Sequence, residues 1–145
     1  MHRVERSVLV PYAAAQMFDL VAGVREYPRF LPWCAGAHVR PRDDGRLDAT
    51  LDIRYRGVSA RFTTCNEHRA HESIAMTLID GPFRRLAGEW SFRELRADGC
   101  RVHLRLHYEF APGLLGRAIA PVFDSIAGSL VDSFTRRAEA LYEPR

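Results

Sequence analysis

A helical stripe of apolar residues in the last part of the chain limits the fold more than any other feature. The stripe runs from residue 114 to residue 142 and includes Ile119, Phe123, Ile126 and Leu130. An uninterrupted helix over this range would be roughly 43 Å long. We expect Pro121 to kink or restart it, because a proline removes one ladder hydrogen bond and its ring crowds the preceding turn. A stripe of this length has to be covered by another apolar surface.

Most of the chain before this helix alternates apolar and polar residues with a period of two. In the clearest stretch, Val102 and Leu104 fall on one side, and Arg101 and Arg105 fall on the other. Such strands bury one face and leave the other in water. The pattern predicts strands at residues 4–10, 37–42, 47–55, from 58, 74–78, 86–92 and 100–110. The short turns predicted between strands are Arg56-Gly57, Arg69–Glu72 and Ala97–Gly99. Strands joined in this way form an antiparallel meander.

Two short helical segments are predicted between the first and second strands. Apolar residues at helical spacing begin near Ala13, and the stretch EYPRFLPWC that follows is limited to one or two turns by Pro28 and Pro32. A long amphipathic helix and a sheet with one apolar face can bury those surfaces only against each other. The predicted fold class is therefore α+β, with a curved antiparallel sheet of about seven strands wrapped around a long C-terminal helix and two short helices after strand 1. We expect a single domain over residues 1–145.

Cysteine usage and hydropathy argue against several classes of protein. Cys34, Cys65 and Cys100 are far apart and form no CxxC pair, which argues against a disulfide framework or a zinc ribbon and favours a reducing compartment. No apolar run approaches about 18 residues, so neither a membrane span nor a signal peptide is expected. We therefore expect a cytoplasmic protein.

Several motifs along the chain resemble a known family. They are Val10 to Tyr12; Tyr27-Pro28 with Phe30, Leu31, Pro32 and Cys34; Phe62 to Thr64; Asp80 to Phe83 with Leu86, Gly88, Trp90 and Phe92; and Val122-Phe123 with Phe134, Arg137 and Ala138. In this order they resemble the START-like (helix-grip, Bet v 1-like) domains of the group that contains coenzyme Q-binding proteins and the ribosome association toxin, within the polyketide cyclase/dehydrase-like superfamily. The motifs occur in both branches and so do not separate quinone binding from ribosome binding.

The resemblance implies a hydrophobic tunnel between the sheet and the C-terminal helix. Candidate ligand-binding residues of the tunnel and its rim are Tyr27, Phe30, Leu31, Trp33, Phe62, Met76, Phe83, Trp90, Phe92, Tyr108, Phe110, Ile119, Val122, Phe123, Ile126 and Leu130. Residues 26–34 are expected to roof one mouth, and the turn from Asp80 to Phe83 to form the opposite lip. The alternative is that Phe30 and Trp33 close the end of a core. Trp90 and Tyr108 carry polar hydrogens that need a partner when buried, for which a neighbouring backbone carbonyl is favoured over a quinone carbonyl.

Little in the sequence supports catalysis or metal binding. His68 and His71 have a metal-like gap but flank a predicted turn without a third ligand. Cys34 has no histidine fixed near it, and no carboxylate pair falls among the inward positions, so Tyr108 or a loop residue would have to act as acid or base. We expect no catalytic residue, no metal site and no required cofactor.

Outward-facing arginines raise the question of a charged partner. These arginines are Arg54, Arg61, Arg85, Arg93, Arg101 and Arg105. They could form a basic face for ribosomal RNA or anionic lipid. The favoured alternative is cross-strand pairing with acids, each pair contributing about 0.2 to 1 kcal/mol. The candidate acids are Asp48, Asp52, Glu89, Glu94 and Glu109.

Three functions are consistent with the resemblance. The first is a non-enzymatic carrier that holds a polyprenyl quinone such as ubiquinone, or another isoprenoid lipid, for quinone delivery and respiration, with a peripheral contact to the inner membrane. The second is a ribosome-binding, toxin-like protein that contacts the large ribosomal subunit and blocks subunit association. The third is a polyketide aromatase or cyclase, which would need a titratable constellation in the cavity.

Overall fold

The computed structural model describes residues 1–96 and 99–144 and contains the elements that the periodicities predict. In chain order they are β1 His2–Val10, α1 Ala14–Ala22, a 3-10 helix Val24–Arg29, β2 Cys34–Pro41, β3 Leu47–Tyr55, β4 Val58–Arg69, β5 Ser73–Asp80, β6 Phe83–Leu95, β7 Gly99–Phe110 and α2 Leu114–Leu141. The predicted pair of short segments after β1 corresponds to α1 and the 3-10 helix, which includes Pro28.

The strands form one antiparallel sheet in the order β1-β7-β6-β5-β4-β3-β2. From β2 to β7 each strand pairs with the next along the chain, so the predicted meander is confirmed. At the β3–β4 turn, Arg56 and Gly57 both have positive φ, as a two-residue hairpin turn of this kind requires. The third predicted turn includes residues 97 and 98, which lie outside the described residues.

The long helix α2 lies against the apolar face of the sheet and is not restarted at Pro121. It is one continuous helix whose buried residues include Ile119, Phe123, Ile126 and Phe134. Pro121 is exposed, so its ring points away from the sheet and the helix loses only the ladder bond that proline cannot make. Of the two expected effects of Pro121, the restart is wrong, because residues on both sides of the proline pack against the sheet as parts of one helix. The kink stays a prediction.

By length and composition, α2 also has the properties of a membrane-crossing helix. The count of uninterrupted apolar residues did not indicate this, because single polar residues interrupt the stripe. In the structure the inward residues of α2 contact the sheet, as those of the core helix of a globular domain do.

Candidate functional site

A small apolar cavity lies between the sheet and α2. Its volume is about 80 Å³. Sites for drug-sized molecules usually measure roughly 300–1,000 Å³, so this cavity is too small for a polyprenyl chain in the conformation seen here. Its lining residues come from the 3-10 helix, from Trp33 just before β2, from β3 to β7 and from α2, which places the cavity in the interior predicted for a ligand.

The cavity brings together part of the predicted set. The predicted residues that line it are Tyr27, Trp33, Phe62, Met76, Trp90, Phe123, Ile126 and Leu130. The lining residues that sequence reasoning missed are Val24, Ala49, Leu51, Thr64, Asn66, Leu86, Gly88, Leu106 and Phe134. Most of these occupy inward positions of strands whose alternation was recognised, so periodicity placed them in the interior without showing which of them border the space.

The other predicted residues do not border this cavity, and their role in ligand binding stays a prediction. They are Phe30, Leu31, Phe83, Phe92, Tyr108, Phe110, Ile119 and Val122. Leu31 and Ile119 are almost completely buried among other side chains. Phe92 is parallel to Trp90, with ring centroids 6.3 Å apart, and meets Phe18 edge-on at 5.8 Å. Facing the core is therefore necessary but not sufficient for contact with the cavity.

An aromatic cluster closes the end of the interior near the turn from Asp80 to Phe83. Phe83 packs edge-on against Phe123 with ring centroids 4.8 Å apart, and parallel to Phe110 at 5.4 Å. Gly81 has φ 145°, and a Cβ there would collide with Phe62, so the turn needs glycine. The turn presents Phe83 inward as expected, but Phe83 plugs this end and forms no open lip.

The 3-10 helix closes the opposite end by packing on α2. Tyr27 and Phe30 both meet Phe134 edge-on, with ring centroids 5.3 and 5.4 Å apart. The Tyr27 hydroxyl donates to the backbone carbonyl of Val21. Burial strongly raises the pKa of Tyr27, so its phenol stays protonated. These contacts agree with the alternative in which the segment closes the end of a core.

Polar groups at the cavity are few. The Thr64 hydroxyl donates to Oδ1 of Asn66 at 2.7 Å, and both side chains are buried. The donors that Asn66 can offer to a bound molecule are therefore the N–H groups of its amide. Trp33 is 5% exposed, and its Nε1 has no hydrogen-bond partner among the described residues. A ligand with an acceptor oxygen would match these donors.

A larger groove runs along the outside of the same wall. Its volume is about 380 Å³. It is lined by Phe30, Pro32, Trp33, Tyr55, Ser125, Ile126, Ser129, Ser133, Arg136, Arg137 and Ala140. The guanidinium of Arg137 lies 5.0 Å from the centre of the Phe30 ring. Because Trp33 and Ile126 border both spaces, these two side chains separate the groove from the cavity.

The partner of Tyr108 is a carboxylate on α2. Its hydroxyl donates to Oδ1 of Asp124 at 2.6 Å, where sequence reasoning favoured a backbone carbonyl. Nδ1 of His2 lies 3.2 Å from the same oxygen, and its ring stacks on that of Tyr108 at 5.3 Å. Burial, together with the bond to Asp124, raises the pKa of Tyr108. The phenol is a structural donor, since it stays protonated at neutral pH.

The other candidate reactive residues have structural surroundings. Burial raises the pKa of the Cys34 thiol to about 11, and the thiol donates to the Gly36 carbonyl. His68 and His71 both contact the edge or face of Phe18, with ring centroids 5.7 and 5.6 Å apart. Burial lowers the pKa of His68. Among the described residues, no cluster of His, Cys, Asp and Glu side chains could hold a metal ion.

The outer face of the sheet carries arginines that are only partly neutralised. Of the six outward arginines considered, Arg61 has an ion pair, which joins it to Asp52; within the described residues the others have none. Glu94, a predicted partner, lies instead on the helix-covered side and accepts from the backbone N–H of Ala14 at 3.3 Å. The assignment of Glu94 to the outer face was wrong. Glu94 is two residues after the buried Phe92 on β6, so both side chains point to the same face of the sheet. The register therefore agrees with the favoured interpretation at three positions, where Arg61, Arg85 and Arg105 lie directly opposite Asp52, Glu109 and Glu89. It does not agree for Arg93 and Arg101, which lie opposite each other.

Comparisons of the sequence with a family model and with individual proteins agree on one family. Residues 10–135 match the family described as polyketide cyclase/dehydrase and lipid transport. The chain is 41% identical over 145 residues to the persistence and stress-resistance toxin PasT of Escherichia coli O6:H1 strain CFT073, covering all of this chain and 92% of that protein. It is 42% identical over 142 residues to the ribosome association toxin RatA of Vibrio cholerae O1 strain O395, covering 98% and 99% of the two chains. To the mitochondrial coenzyme Q-binding protein coq10 of Schizosaccharomyces pombe it is 29% identical over 141 residues, covering 92% and 84%.

Solved structures give the same fold. A START superfamily protein of Mycobacterium smegmatis superposes with a TM-score of 0.80 at 23% identity, covering 98% of this chain and 100% of that one. An 18 kDa protein of Caulobacter crescentus, 33% identical, superposes with a TM-score of 0.73 and covers 97% and 98%. The predicted START-like fold and the predicted resemblance are confirmed.

Proposed function

The chain belongs to the polyketide cyclase/dehydrase and lipid transport family, and on this premise we propose that it is a ribosome-binding protein that hinders the association of ribosomal subunits. The observation that carries this proposal is full-length similarity of 41% and 42% to PasT and RatA, against 29% to coq10. The partner is the large ribosomal subunit, the protein acts by binding and not by catalysis, and its site of action is the cytoplasm.

Two structural features support this choice over quinone delivery. The interior space of about 80 Å³ is small for an isoprenoid quinone. The outer face of the sheet, in contrast, carries Arg93 and Arg101 directly opposite each other, and neither has an ion pair with a carboxylate among the described residues. Guanidinium groups bind phosphate with good geometry.

Sedimentation in sucrose gradients tests the proposal. We expect the purified protein to co-sediment with large subunits at low salt and to reduce the yield of joined ribosomes when small subunits are added. Binding should weaken steeply as salt rises. The protein releases counterions from RNA phosphates when it binds, and this release is less favourable at high salt concentration. Absence of the protein from large-subunit fractions at low salt would overturn the proposal.

A second candidate function is the binding of a small apolar molecule in the cavity. The observation in its favour is an apolar space with three buried polar side chains, Trp33, Thr64 and Asn66. Within the described part of the chain, Nε1 of Trp33 has no hydrogen-bond partner. The ligand class is a compact ring or short chain with an acceptor oxygen, such as a quinone head group without its tail.

Filling the cavity tests this second function. Leu130→Trp places a larger side chain in the lining, whereas Leu115→Trp changes an exposed position of the same helix. Binding of a short-chain ubiquinone analogue, followed by quenching of tryptophan fluorescence, should be lost in the first variant and kept in the second. Equal binding by both variants would place the ligand elsewhere. Thermal unfolding of each variant checks that overpacking has not unfolded the domain.

A further inference from the structure

Two arginines lie directly opposite each other at one end of the outer face of the sheet. Arg93 of β6 pairs with Arg101 of β7 in the antiparallel register, and both side chains are exposed. Like charges at directly opposed positions destabilise a sheet. A pair of this kind therefore costs stability in the free protein, and an anion bound between the two guanidiniums would remove that cost.

The residues around this pair contain no compensating acid in register. On the other side of Arg101 the register partner is Leu9, and the next row across the sheet is Ser7, His103 and Ser91. Nε of Arg101 donates to Oγ of Ser7 at 2.7 Å, which leaves its terminal nitrogens available. Within residues 1–96 and 99–144, neither Arg93 nor Arg101 has an ion pair with a carboxylate.

The neighbouring rows show that this end of the sheet is different. One row further along β7, Arg105 lies in register between Glu5 of β1 and Glu89 of β6. Glu5 is the nearest acid to the arginine pair along β1, and its Oε2 lies 2.7 Å from Nε2 of His103. Acid and base therefore alternate in the middle of the outer face, whereas the rows at its end contain no acid in register among the described residues.

The shape of this end suits a phosphate group. Ser91, Arg93, Arg101 and His103 line a depression of about 270 Å³. The Ser91 hydroxyl donates to Oε1 of Glu89 and Nε2 of His103 lies 2.7 Å from Oε2 of Glu5, so the donors that remain for an anion are those of the two guanidiniums. Guanidinium groups hold phosphate oxygens by charge-assisted hydrogen bonds. Because contacts to the backbone carry most of the affinity in nucleic-acid binding, such a depression can bind RNA without reading its sequence.

We propose that the depression formed by Ser91, Arg93, Arg101 and His103 is the surface that docks on the phosphate backbone of ribosomal RNA. This inference rests on the proposed ribosome-binding function and names the part of the molecule that makes the contact. An RNA backbone fits better than a bilayer surface. Membrane-binding surfaces combine basic residues with several inserted apolar side chains. The four residues that line this depression are all polar or charged types, and Leu9 is its only exposed apolar register neighbour among the described residues.

The experiment compares two double variants with the same loss of charge. Arg93→Ser with Arg101→Ser removes the pair. Arg54→Ser with Arg69→Ser is the matched control, because both arginines are exposed on the same face at β3 and β4 and have no ion pair among the described residues. Affinity for deproteinised large-subunit rRNA is measured by filter binding over a range of salt, and affinity for intact large subunits by sedimentation.

We expect the Arg93/Arg101 variant to bind rRNA at least about tenfold more weakly at low salt, with a salt slope smaller by about two, one for each lost phosphate contact. The control should lose less than about threefold. Thermal unfolding of the Arg93/Arg101 variant should be unchanged or occur at a higher temperature, because a repulsive pair is removed.

The outcomes separate the inference from the proposed function. If the native protein sediments with large subunits and the Arg93/Arg101 variant does so equally well, the function stands and the docking surface is wrong. If the native protein does not co-sediment with large subunits but binds rRNA through these arginines, the proposed function is wrong and the docking surface stands. Equal rRNA binding by both double variants overturns the inference. Binding to vesicles of anionic phospholipid is measured for the same variants. If the Arg93/Arg101 variant loses only vesicle binding, the inference is also overturned and the depression is a membrane surface.

Discussion

At the scale of single residues, Tyr108 shows how one side chain can join three elements. It lies on β7, donates to Asp124 of α2 and stacks on His2 of β1. Its alternation with polar neighbours placed it on the buried face of the strand. The sequence did not indicate Asp124 as its partner, because a contact between a strand and a helix depends on how α2 is rotated over the sheet.

Removing this hydroxyl should lower stability. We expect Tyr108→Phe to reduce the free energy of unfolding by about 1 kcal/mol, because a typical intramolecular hydrogen bond contributes about that much and Asp124 is partly exposed. Urea unfolding followed by circular dichroism measures the change. Asp124→Asn, which keeps an acceptor oxygen, is the control and should cost less. A Tyr108→Phe variant as stable as the native protein would show that the bond contributes nothing.

The Cys34 thiol should be unreactive in the native protein. Burial raises its pKa from 9.0 to about 11, and the negative charge of Asp52 acts in the same direction. At pH 7.5 the thiol is protonated and covered, so iodoacetamide should label Cys65, which is partly exposed, well before Cys34. Mass spectrometry of peptides after timed labelling gives the two rates. Equal rates would contradict this assignment.

The same shift makes stability depend on alkaline pH. The Cys34 thiol ionises more readily in the unfolded chain than in the folded one, so the unfolded state releases its proton first as pH rises from 9.0 towards about 11. This group's contribution to the free energy of unfolding therefore falls across that window. Cys34→Ala should flatten the dependence in urea titrations at a series of pH values, and an unchanged pH profile would count against it.

At the scale of elements, the first turn of α2 depends on a close approach of two backbone segments. Gly116 is buried, and a Cβ at this position would overlap the carbonyl oxygen of Ala111. Gly128 lies in the middle of the same helix, and no atom lies within 4 Å of the position that a Cβ would occupy there. Packing therefore requires glycine at position 116 of this helix but not at position 128.

Alanine substitutions should separate these roles. Gly116→Ala should destabilise the fold by roughly 1–3 kcal/mol, because backbone has to move to relieve the overlap. Gly128→Ala should stabilise it by about 0.5–1 kcal/mol, because alanine has the higher helix propensity. Differential scanning calorimetry of the two variants provides the comparison, and changes of the same sign would contradict the structural argument.

Most elements were predictable because each is encoded locally. The period-two alternation along β3 identified both its ends, at Leu47 and Tyr55. The ends of β2 were less accurate, since this strand begins at Cys34 and not at Ala37. A register irregularity between Cys34 and Gly36 interrupts the alternation there, and it is produced by pairing with β3.

At the scale of the whole molecule, the sheet depends on α2 to cover its apolar face. The inward residues of β6 and β7 meet that helix through aromatic contacts, such as the one between Trp90 and Phe134 with ring centroids 5.3 Å apart. β1 and β2 are the two edges of the sheet, so the strands do not close into a barrel that could bury this face without the helix.

A chain that ends at Gly113 should therefore fail to form a packed core. We expect loss of the near-ultraviolet circular dichroism signal and strong binding of the dye ANS, as in states with exposed apolar surface. A chain that ends at Tyr142, which keeps α2 and the contact of Tyr142 with Tyr12 at 6.1 Å, is the control and should resemble the native protein. A cooperative unfolding transition in the shorter chain would contradict this view of the fold.

The candidate site was predictable only in part, and Phe123 and Phe83 show why. Both are inward-facing aromatic residues, and both were expected to border a ligand. Phe123 lines the cavity, whereas Phe83 fills the end of the interior with Phe110 and Tyr108. Periodicity reports which side of a strand or helix is buried, but the empty space depends on how side chains from several elements fill the gap between them.

The sequence by itself determined the order of elements, the apolar face of each and hence the pairing of a sheet with a long helix, because burial of apolar surface acts on every strand and helix separately. Only the tertiary structure decided the size of the cavity, the partner of Tyr108 and the direct opposition of Arg93 and Arg101. These features depend on strand register and on the rotation of the helix over the sheet. Both bring together residues that are far apart in the chain, and the local sequence pattern around one such residue does not indicate the other.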